Sequence, residues 1–162
     1  MIYRKAMIKD IRELSKMRWE FQTESNEHDT TWSKEKFIDS CEDFYINVID
    51  SSNWLFWVAE DNDKIVSHVF IHIINNIPSP NRLINKWGYL TNSYTKKPYR
   101  NQGIGSKLIE YAIKDVKSND IETLIVWPSD KSFQFYKRSG FTENNHIMEL
   151  PILTKKCKNS TQ

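Results

Sequence analysis

Two glycines stand one residue apart in the segment 100–105, which reads Arg-Asn-Gln-Gly-Ile-Gly and directly precedes a strongly amphipathic stretch. Glycine carries no side chain, so the backbone here can pass close to a ligand. The amphipathic stretch has the spacing of a helix, and a helix start offers free N–H groups and a partial positive charge. Together these features predict an anion site that suits a pyrophosphate, with Lys96, Lys97 and Arg100 adding local positive charge.

Three phosphate-binding motifs compete for this segment. A P-loop needs Gly-x-x-x-x-Gly-Lys-Ser/Thr, and that spacing does not occur in the chain. A dinucleotide fingerprint needs a third glycine where Leu108 stands. The remaining spacing, Arg-x-x-Gly-x-Gly, resembles the CoA-pyrophosphate motif of the GNAT superfamily of N-acetyltransferases. Taken by itself, the segment leaves an ordinary strand–helix turn open as the alternative.

Two further segments resemble the same superfamily. The run Arg4-Lys5-Ala6, followed by Asp10-Ile11 and Leu14, is similar to its opening strand and helix. The run 135–141, Phe-Tyr-Lys-Arg-Ser-Gly-Phe, is similar to its Tyr-x-x-x-Gly-Phe signature. The three motifs occur in the family's order and at its usual separations. The resemblance covers roughly residues 2 to 150.

The resemblance implies a binding site for acetyl-CoA and no metal. Tyr94 and Thr95 fall where the family's central strand meets the pantetheine arm and the acetyl carbonyl, and a backbone N–H there would stabilise the developing oxyanion. Arg100 would begin the pyrophosphate cradle, and Ser129 would add a hydrogen bond to CoA. The other predicted cofactor-binding residues are those of the glycine turn, mainly through their backbone amides: Asn101, Gln102, Gly103, Ile104, Gly105 and Ser106.

The resemblance also implies a catalytic role for Tyr136, which falls on the tyrosine that often serves as general acid in this family. The leaving group of acetyl-CoA is a thiolate, and free thiols titrate near about 8.5. A positioned phenol can protonate the sulfur as it departs. An ordinary aromatic side chain packed between helix and sheet is the alternative interpretation of Tyr136.

The sequence departs from the family pattern at three places. Ser129 stands where many members have Asn, and Lys97 stands where a proline is common, with Pro98 one position later. The strand predicted at 87–95 contains no Glu or Asp, although members often place a general base on or near it. A base matters because an alkyl amine has a pKa near about 10.4 and attacks only when neutral.

Two groups of residues are candidates for handling the amine or its proton. His68 and His72 share one face of a strand and could relay a proton through water, or they are polar residues on a half-exposed sheet face. The polar segment 23–31 falls where the family often borders its acceptor pocket; it is either a solvated acidic loop or an attractor of cationic amines. The residues concerned are Glu24, Glu27 and Asp29, with Trp19 or Trp32 as a cation–π wall. Proton loss to water, with no dedicated base, is a third route.

The hydrophobic pattern predicts the elements that position these residues. Helical spacing begins at Ile8, and a second helix is expected from the N-cap Ser33 to about Val48. A strong amphipathic helix starts at Ile104, and a short one covers 133–139, with Gly140 as a left-handed cap. The predicted strands are 2–6, 54–60, 65–74, 87–95, 123–127 and one within 141–150, with a hairpin turn at 61–64.

This order of elements predicts an α/β or α+β fold with one central sheet. The resemblance makes the expectation specific, namely a GNAT-like central mixed, mostly antiparallel sheet flanked by helices. A length of 162 residues favours one domain. We expect residues 1–150 to form it and 151–162 to be a lysine-rich, mobile tail.

Composition excludes several other classes of protein. The net charge of +2 gives no global field of the kind that binds nucleic acid. No apolar run is long enough to span a membrane. Cys41 and Cys157 lie far apart and fit no metal spacing. They also suggest no disulfide framework, which favours a reducing, cytoplasmic compartment.

The sequence therefore predicts an acetyl-CoA-dependent N-acetyltransferase. It would transfer acetyl directly to an amine of a small molecule or to an exposed protein amine, without an acyl-enzyme. A non-catalytic acyl-CoA-binding or sensor module on the same fold is the alternative. An enzyme with a hydroxyl acceptor or a longer acyl chain is a third hypothesis. Since dimers are common in the family, a homodimer is one expected assembly.

Overall fold

The structure is a computed structural model that describes residues 1–24, 30–144, 148 and 150. Short 3₁₀ turns at Ile8–Asp10 and Lys97–Tyr99 lead into the first and third helices. Across the described residues the strands and helices follow one another in this order: β1 (Ile2–Lys5), α1 (Ile11–Thr23), α2 (Lys34–Val48), β2 (Trp54–Asp61), β3 (Lys64–Asn75), β4 (Lys86–Thr95), α3 (Ile104–Ser118), β5 (Thr123–Ile125) and α4 (Asp130–Arg138).

The five strands form one sheet in chain order, β1-β2-β3-β4-β5. Strands β1 to β4 are antiparallel, and β5 pairs with β4 in parallel. The predicted mixed, mostly antiparallel sheet is thus confirmed. The predicted hairpin turn joins β2 to β3 through Asn62 and Asp63, which have φ values of 47° and 60°. Two left-handed central residues are what a type I′ hairpin turn requires, and Asn and Asp tolerate them.

Strand β4 is irregular on both of its sides. Towards β5 it pairs at three positions, from Trp87 with Thr123 to Tyr89 with Ile125, and beyond these its residues 90–95 have no strand neighbour on that side within the described residues. Towards β3 the register shifts between His68 and Phe70, and Asn92 has a φ of 48°. The extra residue of such a bulge bends the strand and redirects side chains. The pairing of β4 with β5 therefore ends shortly before this bulge.

The helices cover the two faces of the sheet. Helices α1 and α2 pack on one face, in a cluster centred on Leu14, Met17, Tyr45, Phe56 and Phe70. The other face carries α3 and α4. Its cluster is formed by Ile71 and Leu90 of the sheet with the apolar stripe of α3, which consists of Ile104, Leu108, Ile109, Ala112 and Val116. Because helices cover both faces, β3 is buried at every position from Ile65 to Ile71.

Local signals fix two helix ends as predicted. The side-chain oxygen of Ser33 accepts a hydrogen bond from the N–H of Lys36 at 3.3 Å and so caps α2. At the end of α4, Gly140 has a φ of 93° and donates to the carbonyl of Lys137, while Phe141 donates to the carbonyl of Tyr136. This pair of bonds is a Schellman motif, which needs a left-handed residue at the position of Gly140.

Several boundaries differ from the predictions. Strand β5 ends at Ile125 rather than at 127 and is at most half-buried, because it lies at the edge of the described sheet and pairs with β4 alone. Helix α4 begins at Asp130, three residues before the predicted start at 133. In the segment 141–150, residues 141–144 have no regular secondary structure, and 145–147 and 149 lie outside the described residues, as does the predicted tail 151–162 with Cys157. No helix in the described ranges has the length and apolar character to cross a membrane.

Candidate functional site

The glycine turn before α3 has an alternating backbone conformation. Asn101 has a φ of 60° and Gly103 a φ of 75°, whereas Gln102 between them is not in the left-handed region. Asn tolerates this region better than most residues, and glycine enters it without steric cost. Alternation of this kind turns successive N–H groups towards one point, which makes a concavity for an anion.

The amides of this turn have no acceptor of their own. Arg100 donates its N–H to the carbonyl of Lys97, and Lys107 donates to the carbonyl of Gly103. Between them, the N–H groups of residues 101–106 donate to no acceptor in the part of the chain that the structure describes. Helix α3 is 15 residues long, and its partial positive charge lies at the same place. The residues present therefore fit a phosphate group.

The basic side chains near the turn are paired with carboxylates of α1 and its end. The Nη2 of Arg100 lies 2.9 and 2.8 Å from the two carboxylate oxygens of Glu24, and Lys97 lies 3.5 Å from the same carboxylate. Lys96 bonds Glu13 at 2.6 Å. Burial alone would raise the pKa of Glu24, but the bonds and charges of Arg100 and Lys97 lower it below its usual value. The predicted excess of positive charge is therefore largely neutralised within the protein.

Arg100 links three elements. Its Nε donates to the carbonyl of Thr95 at 2.8 Å, and its guanidinium lies 5.3 Å from the ring centre of Tyr94. With the Glu24 pair, these contacts tie the end of β4 and the end of α1 to the turn that precedes α3. Arg100 therefore holds the shape of the predicted cradle.

Gly105 sits where α3 packs closely on β4 and α4. A β-carbon at Gly105 would stand 3.3 Å from Oγ1 of Thr95 and 3.5 Å from the ring of Phe135. Oγ1 of Thr95 is itself held at 2.8 Å from Oγ of Ser67. A side chain here would therefore crowd the packing of the protein itself. At Gly103, by contrast, an added β-carbon would meet nothing within 4 Å, and the requirement is the positive φ.

Tyr94 and Thr95 point to opposite faces of the sheet. The Tyr94 ring packs on the α1 side, 5.6 Å from Phe21 and 6.0 Å from His68, measured between ring centres. Lys96 donates its N–H to the carbonyl of Val66 at 2.9 Å. In an antiparallel ladder the amides alternate, so the N–H of Thr95 points away from β3, towards the side on which β5 has already ended.

Tyr136 on α4 reaches the same gap. Its side chain is 7% exposed and lies between Phe135 and Phe141. Its hydroxyl lies close to the side chain of Ser93, at the bulge of β4. Burial raises the pKa of Tyr136 above its ordinary value, although the side chain of Ser93 acts in the opposite direction. The phenol therefore stays protonated at neutral pH, as a proton donor must.

Ser129 lies on the surface at the start of α4. Its Oγ is 3.1 Å from Oγ of Ser132, and its carbonyl accepts the N–H groups of Ser132 and Phe133. Ser129 therefore begins α4, on the chain segment that follows β5.

The two candidate histidines have different environments. His68 is 0% exposed, and neither of its ring nitrogens has a hydrogen-bond partner among the described residues. Burial lowers the pKa of His68 to about 3, with the side chain of Asn92 acting in the opposite direction. His72 is half-buried and stacks on Trp54 at 4.5 Å. The interpretation of a half-exposed sheet face is wrong for His68, because α1 covers that part of the sheet.

The predicted acidic segment is only partly described, since Glu27 and Asp29 lie outside the described residues. The carboxylate of Glu24 is bonded to Arg100, so it is not free to attract an amine. The ring of Trp32 carries the ammonium of its neighbour Lys36 at 4.0 Å, and Trp19 packs on Phe37 at 5.4 Å. The two tryptophan rings that were predicted to bind a cationic amine thus already contact side chains of the protein.

The structure adds a polar group at the bulge that the sequence patterns did not predict. Arg18 of α1 donates to Oδ1 of Asn92 at 3.0 Å, and Nδ2 of Asn92 donates to the hydroxyl of Tyr45 at 3.3 Å. Ser93, the partner of Tyr136, was also not predicted. One signal was available, because Asn is rare within strands and tolerates positive φ, so Asn92 inside an otherwise β-prone run indicates a bulge.

Solved acetyltransferase structures have the same fold. A protein from Clostridium acetobutylicum, described as a predicted acetyltransferase with acetyl-CoA, is 24% identical with a TM-score of 0.77, over 93% of this chain and 95% of that one. A GCN5-related N-acetyltransferase from Ralstonia eutropha is 21% identical with a TM-score of 0.75, over 93% and 97%. Glucosamine-6-phosphate N-acetyltransferase from Arabidopsis thaliana is 19% identical with a TM-score of 0.68, over 93% and 97%. At these identities the likeness concerns the fold.

The sequence itself carries the family assignment. No curated protein matches the chain significantly. The profile described as the acetyltransferase (GNAT) family matches residues 10–141, which include the bulge of β4, the glycine turn and Tyr136. The chain therefore belongs to the GNAT family of acetyltransferases.

Proposed function

We propose that the protein is an acetyl-CoA-dependent N-acetyltransferase that passes acetyl directly to an amine of a small molecule or of an exposed protein segment. The observation that carries this proposal is the row of unpartnered amides at residues 101–106, at the start of α3. This row lies beside the part of β4 that β5 does not reach, and Tyr136 lies close to the same strand. An anion cradle, an open strand edge and a buried acid are thus brought together by one strand.

The glycine turn would bind the pyrophosphate of CoA. Six N–H groups and the positive end of α3 attract the anion without any side chain. Since Glu13 and Glu24 already neutralise the nearby cations, the backbone supplies most of the attraction. The hydrogen bond of Arg100 to the carbonyl of Thr95 would hold this backbone in position. Ser129 would add a surface hydroxyl at the start of α4.

The open edge of β4 would hold the pantetheine arm. Residues 90–95 have no strand neighbour on the β5 side within the described residues, so their outward amides and carbonyls are free to bond an extended chain. When bound, acetyl-CoA supplies the activated acetyl group as a thioester. The outward N–H of Thr95 is a candidate donor to the carbonyl oxygen as negative charge develops on it.

Tyr136 would act as the general acid. As the amine nitrogen bonds the acetyl carbon, the carbon–sulfur bond breaks and the sulfur takes the phenolic proton of Tyr136. Burial keeps this phenol protonated, and the side chain of Ser93 lies close to its hydroxyl at the bulge. After attack, the nitrogen releases a further proton, which restores the phenol through water. The cycle therefore closes without a net change in the protein.

A dedicated base is not needed in this scheme. Strand β4 carries no carboxylate from Lys86 to Thr95, and His68 is enclosed and neutral at physiological pH. The amine therefore loses its proton to water on the way to attack. The same lack of a carboxylate favours the second candidate function, a non-catalytic acyl-CoA-binding module that keeps the cradle but does not turn over.

Two measurements test the proposal in order. Acetyl-CoA should raise the melting temperature, because a ligand that binds only the folded state stabilises it by mass action. S-acetylpantetheine, which lacks the pyrophosphate, should give a much smaller shift at the same concentration. Release of free CoA with at least one amine of a broad panel then supports the enzyme, while a shift without turnover supports the binding module. No shift with any CoA species would contradict both.

A further inference from the structure

Arg18 is a half-buried cation that the structure holds with neutral groups. Its Nη1 donates to Oδ1 of Asn92 at 3.0 Å. With the amide of Gln22 oriented to satisfy its hydrogen bonds, the Gln22 oxygen accepts from Nη1 at 2.9 Å and from Nη2 at 3.2 Å. No carboxylate pairs with Arg18 among the described residues. The guanidinium is therefore fixed in position while its charge stays uncompensated.

Three other arginines near the sheet differ in this respect. Arg4 bonds Asp10 at 2.6 Å, Arg12 bonds Glu42 at 2.7 Å, and Arg100 bonds a carboxylate at 2.8 Å. Partly buried cations ordinarily take such a partner, since desolvation of an unpaired charge is unfavourable. A guanidinium has five N–H donors, so Arg18 keeps donors for one further acceptor.

Arg18 lies beside the candidate site of acetyl transfer. Its partner Asn92 is the sequence neighbour of Ser93, whose side chain lies close to the hydroxyl of Tyr136. Successive residues of a strand point to opposite faces, and their Cα atoms are about 3.8 Å apart. The bulge of β4 therefore carries the candidate acid on one side and the unpaired guanidinium on the other.

A second polar side chain lies at the bulge, beside the partner of Arg18. The ring of His68 is fully buried next to Asn92, whose side chain raises the pKa of His68 while burial lowers it. Asn92 in turn contacts the hydroxyl of Tyr45. Asn92 is therefore held in place at the bulge, and it fixes the guanidinium of Arg18 there.

We propose that Arg18 binds an anionic oxygen group of the acceptor, so that the substrate is an amine with a carboxylate or phosphate close to its nitrogen, as in an amino acid or an aminoalkyl phosphate. The inference rests on the proposed acetyltransferase function. The planar fork of a guanidinium matches two oxygens of a carboxylate or a phosphate, which gives both attraction and orientation. Polyamines without an anionic group meet a like charge at this point and are poor acceptors.

Matched amine pairs test the substrate class. CoA release is measured with L-alanine against L-alaninamide, with L-phenylalanine against phenethylamine, and with O-phosphoethanolamine against ethanolamine. We expect the anionic member of at least one pair to have a kcat/KM about tenfold or more above its neutral partner, which is typical of one charge-assisted hydrogen bond. The pair that shows the preference distinguishes a carboxylate from a phosphate.

Substitutions assign the preference to Arg18. In Arg18→Gln the ratio of kcat/KM between the anionic and neutral members should fall at least tenfold, whereas Arg18→Lys should restore part of it because the charge is retained. Arg12→Gln is the matched control, since it removes an exposed arginine from the same helix and should leave the ratio unchanged. Melting curves report folding, and a ratio measured within one variant does not depend on its folded fraction.

The outcomes separate this inference from the proposed function. Turnover of neutral amines or polyamines with no anionic preference would overturn the role of Arg18 while leaving the acetyltransferase intact. A wild-type ratio in Arg18→Gln would overturn that role in the same way. If acetyl-CoA gives neither a melting shift nor turnover with any amine, the proposed function fails and this inference fails with it.

Discussion

Gly105 and Thr95 touch across the junction of α3 and β4, where a β-carbon on the glycine would stand 3.3 Å from Oγ1 of the threonine. Thr95 cannot withdraw freely, because Ser67 holds the same oxygen at 2.8 Å. The position of the amide cradle relative to the open edge of β4 is therefore set by a glycine.

Replacing Gly105 by valine should disrupt this junction. The added carbons overpack against Thr95 and Phe135, and we expect a loss of about 1–3 kcal/mol in the free energy of unfolding. The displaced turn should also lose its melting shift with acetyl-CoA. Gly105→Ala is the matched control and should be much milder, because a gain in helix propensity of about 1 kcal/mol offsets a tight single contact. Wild-type stability together with a full acetyl-CoA shift in Gly105→Val would refute the expected contact.

Substitutions at Gly103 should be tolerated only by residues that can adopt its left-handed backbone conformation. Its φ is 75°, and a β-carbon there meets no atom within 4 Å, so strain decides the outcome. Gly103→Val should lose about 1–2 kcal/mol of stability and most of the acetyl-CoA shift, because a β-branched residue resists the left-handed region. Gly103→Asn should keep most of its stability, since asparagine enters that region. Equal melting temperatures for the two variants would contradict this account.

Tyr136 and Ser93 should behave as one unit in catalysis. Tyr136→Phe should lower kcat by about 100-fold or more and leave the melting shift with acetyl-CoA intact. Ser93→Ala should lower kcat less, because it removes only the partner that orients the phenol. In the double variant the two losses should not add, which a double-mutant cycle would detect. An unchanged kcat in Tyr136→Phe would remove Tyr136 from the mechanism.

His68 should make the protein sensitive to acid. Burial lowers its pKa to about 3, whereas an unfolded histidine titrates near about 6.5. Between these values the unfolded chain binds the extra proton, so the stability conferred by neutral His68 is complete above about pH 6.5 and is lost as the pH falls towards 3. The slope that one such group contributes approaches about 1.4 kcal/mol per pH unit.

Urea unfolding at several pH values measures this slope. His68→Phe should flatten the dependence between about pH 4 and 6, since phenylalanine does not titrate. His72→Phe removes the other histidine from the same face of β3 and is the matched substitution, so a change confined to His68→Phe assigns the slope to His68. Identical slopes in all three proteins would show that His68 is not the group responsible.

Features written in short stretches of sequence were predicted well. The helix at α3, the cap at Ser33, the hairpin turn at 61–64 and the left-handed Gly140 each depend on residues within a few positions of one another. The glycine turn belongs to this class, and it is also where the family motif lies. Its backbone conformation follows from the asparagine and the glycine at 101 and 103.

Features that depend on distant partners were not predicted. Arg100 and Glu24 are 76 positions apart, so their pairing, and the loss of free charge at the turn, cannot be read from either segment. His68 was misjudged because alternation along β3 cannot reveal that helices cover both faces of the sheet. Arg18 and Asn92 lie 74 positions apart and meet only because α1 crosses the bulge.

The short pairing between β4 and β5 has a consequence for the local stability of β5. Three register positions join these strands, whereas β3 is laddered along both of its edges. The amide protons of β5 should therefore exchange with deuterated solvent well before those of β3. A coenzyme bound along the open edge of β4 would link this strand to the segment that follows β5. The protection from exchange that it confers should therefore be greatest in β5 and α4.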